Sequence, residues 1–253
     1  MIKSKKLSKF KDIEHAFFNR LGGKSQGIYK SLNCGPDSYD EKKNVHDNLK
    51  IVVKKLKTKS KKIFLLNQVH SNKFHYIDGK FKIKNDKFKG DALITDKKNI
   101  PIGVLTADCA PILLHDQNKK MIAVIHAGWK GAYKGIIKNV IKFMIKKGCS
   151  PQDMTAVIGP CIAEKNYEVK SDFVKKFLKK DIKTKIFFKR IRNKNYFNLN
   201  KYIYYQLKSL DINIVEIIKK DTFDIKNNFF SARRSISRNE NDYGRNISII
   251  MIN

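Results

Sequence analysis

His70, Cys109 and His126 each end an apolar, strand-like run or sit just past one. They lie 39 and 17 residues apart in sequence, yet strand ends of one sheet can meet in space. Two imidazoles and one thiolate form a donor set suited to Zn²⁺, and three protein ligands leave a fourth position open. An open position marks a catalytic metal, where water is acidified or a substrate oxygen polarised. The same residues would serve a cysteine hydrolase, with Cys109 as nucleophile and His126 or His70 as its base. Spacing alone discriminates poorly, because a chain with six histidines offers many such triples. Buried histidines and cysteines with satisfied partners are the simpler explanation of each residue taken alone.

The stretch "IHAGWKGAYKGII" (125–137) adds a second kind of chemistry. A strand, a turn containing Gly128, Gly131 and Gly135, and a helix start would aim backbone N–H groups at one point, where the helix dipole favours an anion. Lys130 and Lys134 would add charge; a tight turn that needs glycine is the competing explanation. Arginine is scarce, and four of the seven fall in "ARRSISRNENDYGR". Arg233, Arg234 and Arg245 are candidates for bidentate binding of a phosphate or carboxylate, while Arg238 fits a solvated loop. "LGGKS" (21–25) is no phosphate-binding loop, since the glycine required five residues before Gly23 is Phe18. Asp91 and Asp108 would orient ligands, transfer protons or cap turns.

These residues need strands and helices to position them. "EKKNVHDNLKIVVKKL" (41–56) puts Val45, Leu49, Val52, Val53 and Leu56 on one helical face. Strands are expected at 62–70, in 91–96, in 101–116 with a break near Asp108 and Pro111, and at 121–126, 154–160, 212–218 and 246–252. A helix from about Ala132 to Lys147 places Ile137, Val140, Ile141 and Met144 on one face, with Gly148 as its cap. Further helices are expected over 171–180 and 200–210. Strands and helices mix without strict alternation, which predicts an α+β domain with mixed sheets. Five prolines and no Pro/Ser-rich joint predict a single domain.

Bulk properties narrow the function classes. No apolar run approaches the length that spans a bilayer, and the basic start "MIKSKKLSKFKD" lacks a signal peptide's apolar middle. A cytoplasmic location without a membrane partner is the expectation. The net charge of +31 raises nucleic-acid binding as a non-enzymatic alternative. The lysines are spread along nearly the whole chain, however, which describes a solvated coat better than a nucleic-acid stripe. Four cysteines are too few for a disulfide scaffold of this length.

The motifs "NQVHS", "GDALIT", "TADCAPILL", "IHAGWKGAYKGII", "IGPCI", "NYEV", "FFSARR" and "YGR", in that order, resemble the laccase-domain family. It is also called the YfiH-like or multicopper polyphenol oxidase family. "FFNRLGGKS" and "SLNCG" match its opening segment, so the resemblance runs from about His15 to Ile252. It implies one domain over 1–253, an α/β/β/α arrangement of four layers with mixed sheets, similar to a group described as cysteine hydrolases. It implies zinc, with copper the less suitable metal, held by His70, Cys109 and His126. It implies purine nucleoside phosphorylase activity on adenosine, inosine, guanosine and methylthioadenosine with inorganic phosphate, and deamination of adenosine. Arg20, Asn33 and Gln68 fall in motifs that would line the same cleft, and Lys130, Arg233 and Arg245 would bind substrate. Three positions depart from the family pattern. Leu49 follows Asn48 where arginine is usual, Lys130 stands where arginine is frequent, and Asp221-Thr222 replaces a Cys-Thr pair. The roles of Cys161 and Trp129 stay open.

Overall fold

Apolar runs too short for membranes but buried on both sides build the centre of this molecule. The computed structural model describes residues 1–56, 58, 60, 62–78 and 88–253. Its strands are β1 (Ile13–Phe17), β2 (Phe74–Ile77), β3 (Ala92–Thr95), β4 (Ile102–Thr106), β5 (Ala110–Asp116), β6 (Met121–Ala127), β7 (Met154–Ile158), β8 (Glu168–Val169), β9 (Phe188–Ile191), β10 (Lys194–Phe197), β11 (Ile214–Ile217) and β12 (Asn246–Ile252). Its helices are α1 (Lys42–Lys55), α2 (Trp129–Lys134), α3 (Ile136–Lys146), α4 (Ser171–Lys180), α5 (Leu199–Lys208) and α6 (Ala232–Ser237). Six strands form a mixed sheet in the order β11-β7-β5-β6-β3-β2, three form a second sheet, β1-β12-β4, and three a small one, β8-β10-β9.

Side-chain alternation turns the two larger sheets into a sandwich. Leu113 of β5, Val124 of β6 and Val157 of β7 meet Phe17, Val104 and Ile250 of the smaller sheet. Their neighbours Ile112, Ile125 and Ile158 face the other way, onto α3, α5 and Phe177 of α4. The outer face of β1 and β12 is covered by Val52 of α1 and by Leu56. The result is an α+β fold of four layers, α/β/β/α, with mixed sheets. Because β5, β6 and β7 are buried on both faces, their sequences read as continuous apolar runs. Helix α3 buries Ile137, Val140, Ile141 and Met144 against the sheet, each worth about 1.5–3 kcal/mol of transfer free energy.

Three expectations need correction. Residues 62–70 form an extended arm with isolated bridges Phe64–Ile102 and Asn67–Lys89, not a strand. There the Gln68 amide replaces a ladder, accepting from the Leu105 N–H and donating to its carbonyl, both at 2.7 Å. The helix expected over 132–147 is two helices: α2 begins at Trp129, and Gly135, left-handed at φ 89°, separates it from α3. That backbone region is readily open only to glycine. The strand break falls at 107–109, around Asp108 as expected, but Pro111 lies inside β5 opposite His126, near a strand start where proline is tolerated. Among the described residues, no helix is long and apolar enough to cross a membrane.

His15 of β1 is buried and its Nε2 accepts a hydrogen bond from the Ser4 N–H at 2.9 Å. Burial first, and the nearby Lys3 charge second, push its pKa down to about 4. The folded state therefore resists protonation that the unfolded chain accepts below its ordinary value of about 6.5. The associated stability is complete above pH 6.5 and is lost as pH falls toward 4. We expect wild type to lose about 2–3 kcal/mol more than His15→Gln between pH 7 and 4.5, read from urea midpoints. Parallel losses in both proteins would contradict a neutral buried imidazole.

Candidate metal centre

Three segment ends bring the central side chains together. His70 ends the extended arm with φ 54°, Cys109 follows the left-handed Asp108 (φ 85°) in the break between β4 and β5, and His126 lies near the end of β6. Their ligand atoms all lie within 4.8 Å of one another. Cys109 Sγ is 3.7 Å from His70 Nε2, and the two imidazoles meet edge to face at 4.7 Å. Gly128 makes this approach possible: a Cβ there would stand 2.6 Å from Cys109 Sγ and 3.1 Å from His70 Cδ2. Tetrahedral zinc bonds of about 2.0–2.3 Å place donors about 3.3–3.8 Å apart, so small adjustments close the set around one ion.

Asp91, fully buried just before β3, orients two of the three donors. One carboxylate oxygen accepts from His126 Nδ1 at 2.9 Å and from the His70 N–H at 3.0 Å. The other accepts from the Ser71 N–H and, at 2.7 Å, its hydroxyl. Burial opposes charge on Asp91, but the bonds from His126 and Ser71 outweigh it and hold the pKa at about 2. With Nδ1 engaged, His126 presents Nε2 to the centre. Burial likewise raises the Cys109 thiol, yet the His126 charge and the bonds from both histidines prevail and bring it to about 6. For His126, burial lowers the pKa, while the Cys109 charge and Asp91 raise it to about 9. A thiolate-bearing, oriented N,N,S set is what a borderline-soft metal requires.

The centre opens on two lobes that share His70, Ala107, Cys109 and Tyr243. Lobe one, about 290 Å³, includes Leu66, Gln68, Leu105 and Arg245. Lobe two, about 320 Å³, includes Trp129, Lys130, Tyr167 and Arg233. Arg245 stacks on Tyr243 at 3.9 Å and reaches Asp242 at 3.3 Å. Arg233 donates its backbone N–H to Asp108 at 2.6 Å and its guanidinium to the Glu168 carbonyl at 2.9 Å. Trp129 lines lobe two and also packs on Phe173 at 4.7 Å, so it is wall and core anchor at once. Lys134 is tied to the His70 carbonyl at 3.3 Å, leaving Lys130 as the lysine of the glycine turn that faces the cleft.

The other expected site residues lie outside the two lobes or have their polar groups committed to protein partners. Arg20 lines neither lobe; its half-buried guanidinium bonds to the Lys30 carbonyl and lies 4.9 Å from the Phe230 ring. Asn33 is fully buried and acts through Arg245, whose N–H it accepts at 2.9 Å together with that of Gly35 at 3.0 Å. Gln68 borders lobe one, but its amide is spent on Leu105. Arg234 is buried on the carbonyls of Thr222, Phe223 and Phe229, a structural role. Leu49 packs against the cluster beneath α1 and lines neither lobe. Thr222 donates to Asp108 at 2.6 Å, and Asp221 accepts from the Ala163 N–H at 3.0 Å. Cys161 is buried at 3.2 Å from Asn200 Oδ1, and burial pushes its thiol up. Tyr167 of "NYEV" and Tyr243 of "YGR" line the lobes and are not among the expected site residues; an aromatic inside a motif, between polar residues, is the signal that marks them.

A family model described as multi-copper polyphenol oxidoreductase laccase matches residues 14–253. A purine nucleoside phosphorylase of Rickettsia conorii is 35% identical over 224 residues, covering 86% of this chain and 91% of that protein. One from Bacteroides thetaiotaomicron is 30% identical over 263 aligned residues, covering 100% and 96%. Among solved structures, a Neisseria meningitidis protein superposes with a TM-score of 0.85 at 28% identity, covering 96% and 95% of the two chains. The hypothetical protein YfiH of Bacillus licheniformis gives 0.85 at 26%, covering 95% and 93%.

Asp91→Asn keeps the size of the side chain but removes its charge and unsettles the His126 tautomer. We expect affinity for a divalent metal to fall about 10–100-fold, measured by competition with a chromophoric chelator. Unchanged affinity would mean that Asp91 does not orient the donors.

Proposed function

The chain belongs to the multi-copper polyphenol oxidoreductase laccase family, and we propose that it is a zinc-dependent purine nucleoside phosphorylase. Its substrates on this reading are adenosine, inosine, guanosine and methylthioadenosine, with deamination of adenosine as a second activity. The observation that carries the reading is the convergence of His70, Cys109 and His126 where two lobes meet. The names of the relatives supply the reaction class. Zn²⁺, when bound, supplies Lewis acidity at an open fourth position. The donor set suits one such ion better than a multicopper centre, because the other histidines are placed elsewhere. His15 bonds to Ser4, His75 to Lys89, His115 stands beside Phe10 and Asp12, and His46 is exposed on α1.

In phosphorolysis the bond from ribose C1′ to the base nitrogen breaks, with its electron pair leaving on the base. A phosphate oxygen then bonds to C1′. The chain must hold the phosphate beside C1′ and stabilise positive charge developing on the sugar. Lys130 and Arg233 supply cationic charge from lobe two, with Arg233 steadied by the Glu168 carbonyl. Leu66, Leu105 and Tyr243 offer apolar and aromatic walls for the base in lobe one. Gln68 keeps the Leu105 wall in place through its two backbone bonds. Arg245, half-neutralised by Asp242, faces the same lobe and suits a polar edge of the substrate.

A second reading, a cysteine hydrolase, is favoured by one arrangement. Cys109, His126 and Asp91 stand in the order nucleophile, base and orienting carboxylate. The two readings separate on metal: chelation abolishes turnover on the first and spares it on the second.

Zinc-loaded protein given adenosine and phosphate should release adenine and ribose 1-phosphate, with inosine from the side activity. Absence of all three products from folded, metal-bound protein would sink the proposal. Cys109→Ala and His126→Ala should each lower bound zinc below one equivalent and turnover by more than about 100-fold. A metal-free variant with full activity would overturn the ligand assignment.

A further inference from the structure

Beyond lobe two the cleft continues onto an open shelf of about 680 Å³ that shares Trp129, Tyr167 and Arg233 with it. Phe173 of α4 forms its floor, tilted against Trp129 at 4.7 Å. Lys170 and Lys176 border it, and the Lys176 ammonium lies 5.5 Å from the Trp129 ring. Two carboxylates, Glu168 and Asp172, also border it; Glu168 is paired with Lys194 at 2.9 Å. With Arg233, three cations and two carboxylates border the shelf, and one of the carboxylates is already paired.

Neither a nucleoside nor inorganic phosphate needs this shelf. On the reading above, the two lobes hold the base and the sugar, and Lys130 with Arg233 faces the attacking phosphate. Lys170 and Lys176 stand further out, beside the part-buried rings of Trp129, Tyr167 and Phe173. A ligand that reaches them from the centre is a nucleoside bearing extra negative charge, and a phosphoryl group on the ribose 5′ oxygen meets that description. Lysine binds such a group as a point charge, and arginine as a fork.

We propose that the shelf binds the phosphoryl tail of a purine nucleotide, so that the substrates of this centre include 5′-phosphorylated nucleosides. The inference rests on the nucleoside reading. Phosphorolysis of adenosine 5′-monophosphate breaks the bond from C1′ to the base nitrogen, the electron pair leaving on the base, and forms one from C1′ to an oxygen of hydrogen phosphate, whose proton passes to the base. The products are adenine and ribose 1,5-bisphosphate, and the 5′ phosphoester stays intact.

Trp129 is the chain's single tryptophan, so its fluorescence reports occupancy of the wall directly. The full chain is titrated at low ionic strength with adenosine 5′-monophosphate, with adenosine and with inorganic phosphate. The monophosphate should half-saturate the signal at roughly tenfold lower concentration than adenosine, the gain expected from two or three solvent-exposed ion pairs. In the Lys170→Glu/Lys176→Glu double variant the two ligands should converge, each variant measurement carrying its own adenosine control. The proposal is overturned if the monophosphate gives no signal or binds no tighter than adenosine. It is equally overturned if the advantage survives in the double variant, or if inorganic phosphate half-saturates at the concentration of the monophosphate in wild type and double variant alike, which would put the phosphoryl group on Lys130 and Arg233 instead. Adenine release from adenosine is a separate readout, so failure of the phosphorylase reading is distinguishable from failure of the shelf.

Discussion

The Asp91 carboxylate is the interaction on which the centre depends. It sits without solvent exposure at the start of β3 and accepts from the side chain of His126, the backbone of His70 and both donors of Ser71. Its own backbone joins the same segments: its N–H donates to the Lys73 carbonyl at 2.8 Å, and its carbonyl accepts from the His126 N–H at 2.7 Å. One residue thus ties the extended arm to β6, two elements that share no strand ladder. A buried carboxylate without such donors would be strongly destabilising. Here the cost of burial is offset by four hydrogen bonds, and the left-handed backbone of His70 is held in place by the same contacts.

Asp108 does the corresponding work on the other flank. It is buried and left-handed, and it accepts from Thr222 and from the Arg233 N–H. These bonds attach the break before β5 to the late segments that carry Thr222 and α6. The Asp221-Thr222 pair is committed to contacts within the protein. Thr222 holds Asp108, and Asp221 holds the Ala163 N–H and the Asn166 amide. Cys109 stands between two anchored aspartates, Asp91 through the histidines and Asp108 through the backbone, and Gly128 leaves the space it occupies.

The parts legible in the sequence are those governed by a local rule. Continuous apolar runs announced β5, β6, β7 and β12, and the 3.6-residue pattern of Ile137, Val140, Ile141 and Met144 announced α3. Gly148 capped that helix as expected, with φ 90°. Where a side chain substituted for a ladder, the pattern misled: Gln68 bonds to Leu105 as a strand would, so the apolar run before it is extended without being a strand. The small sheet escaped notice because β9 is largely exposed and both β9 and β10 mix polar with apolar residues over only four positions each. Its turn signal, the left-handed pair Arg192 and Asn193, is visible only once the pairing is known. The donor triple was nameable residue by residue, but its closeness arises from sheet order, which pairs β5 with β6 and β6 with β3.

Arginine and lysine divide the electrostatic work in a way that composition conceals. The scarce arginines drew attention as anion binders, yet the side chains of Arg20, Arg233, Arg234 and Arg245 each donate to a protein oxygen. Arg234 serves three carbonyls, Arg20 one, and Arg245 the Asp242 carboxylate. A planar fork is well suited to that bracing, because several hydrogen bonds form for one ordered side chain. Lysines instead supply charge around the cleft without being locked into it: Lys130, Lys170 and Lys176 are exposed at its edge. Arg233 bridges the two roles, since its backbone braces Asp108 while its guanidinium lies beside Tyr167 in lobe two. Along the wall running from Trp129 to Phe173, next to the three donors, part of the +31 net charge stands against aromatic rings and a cavity.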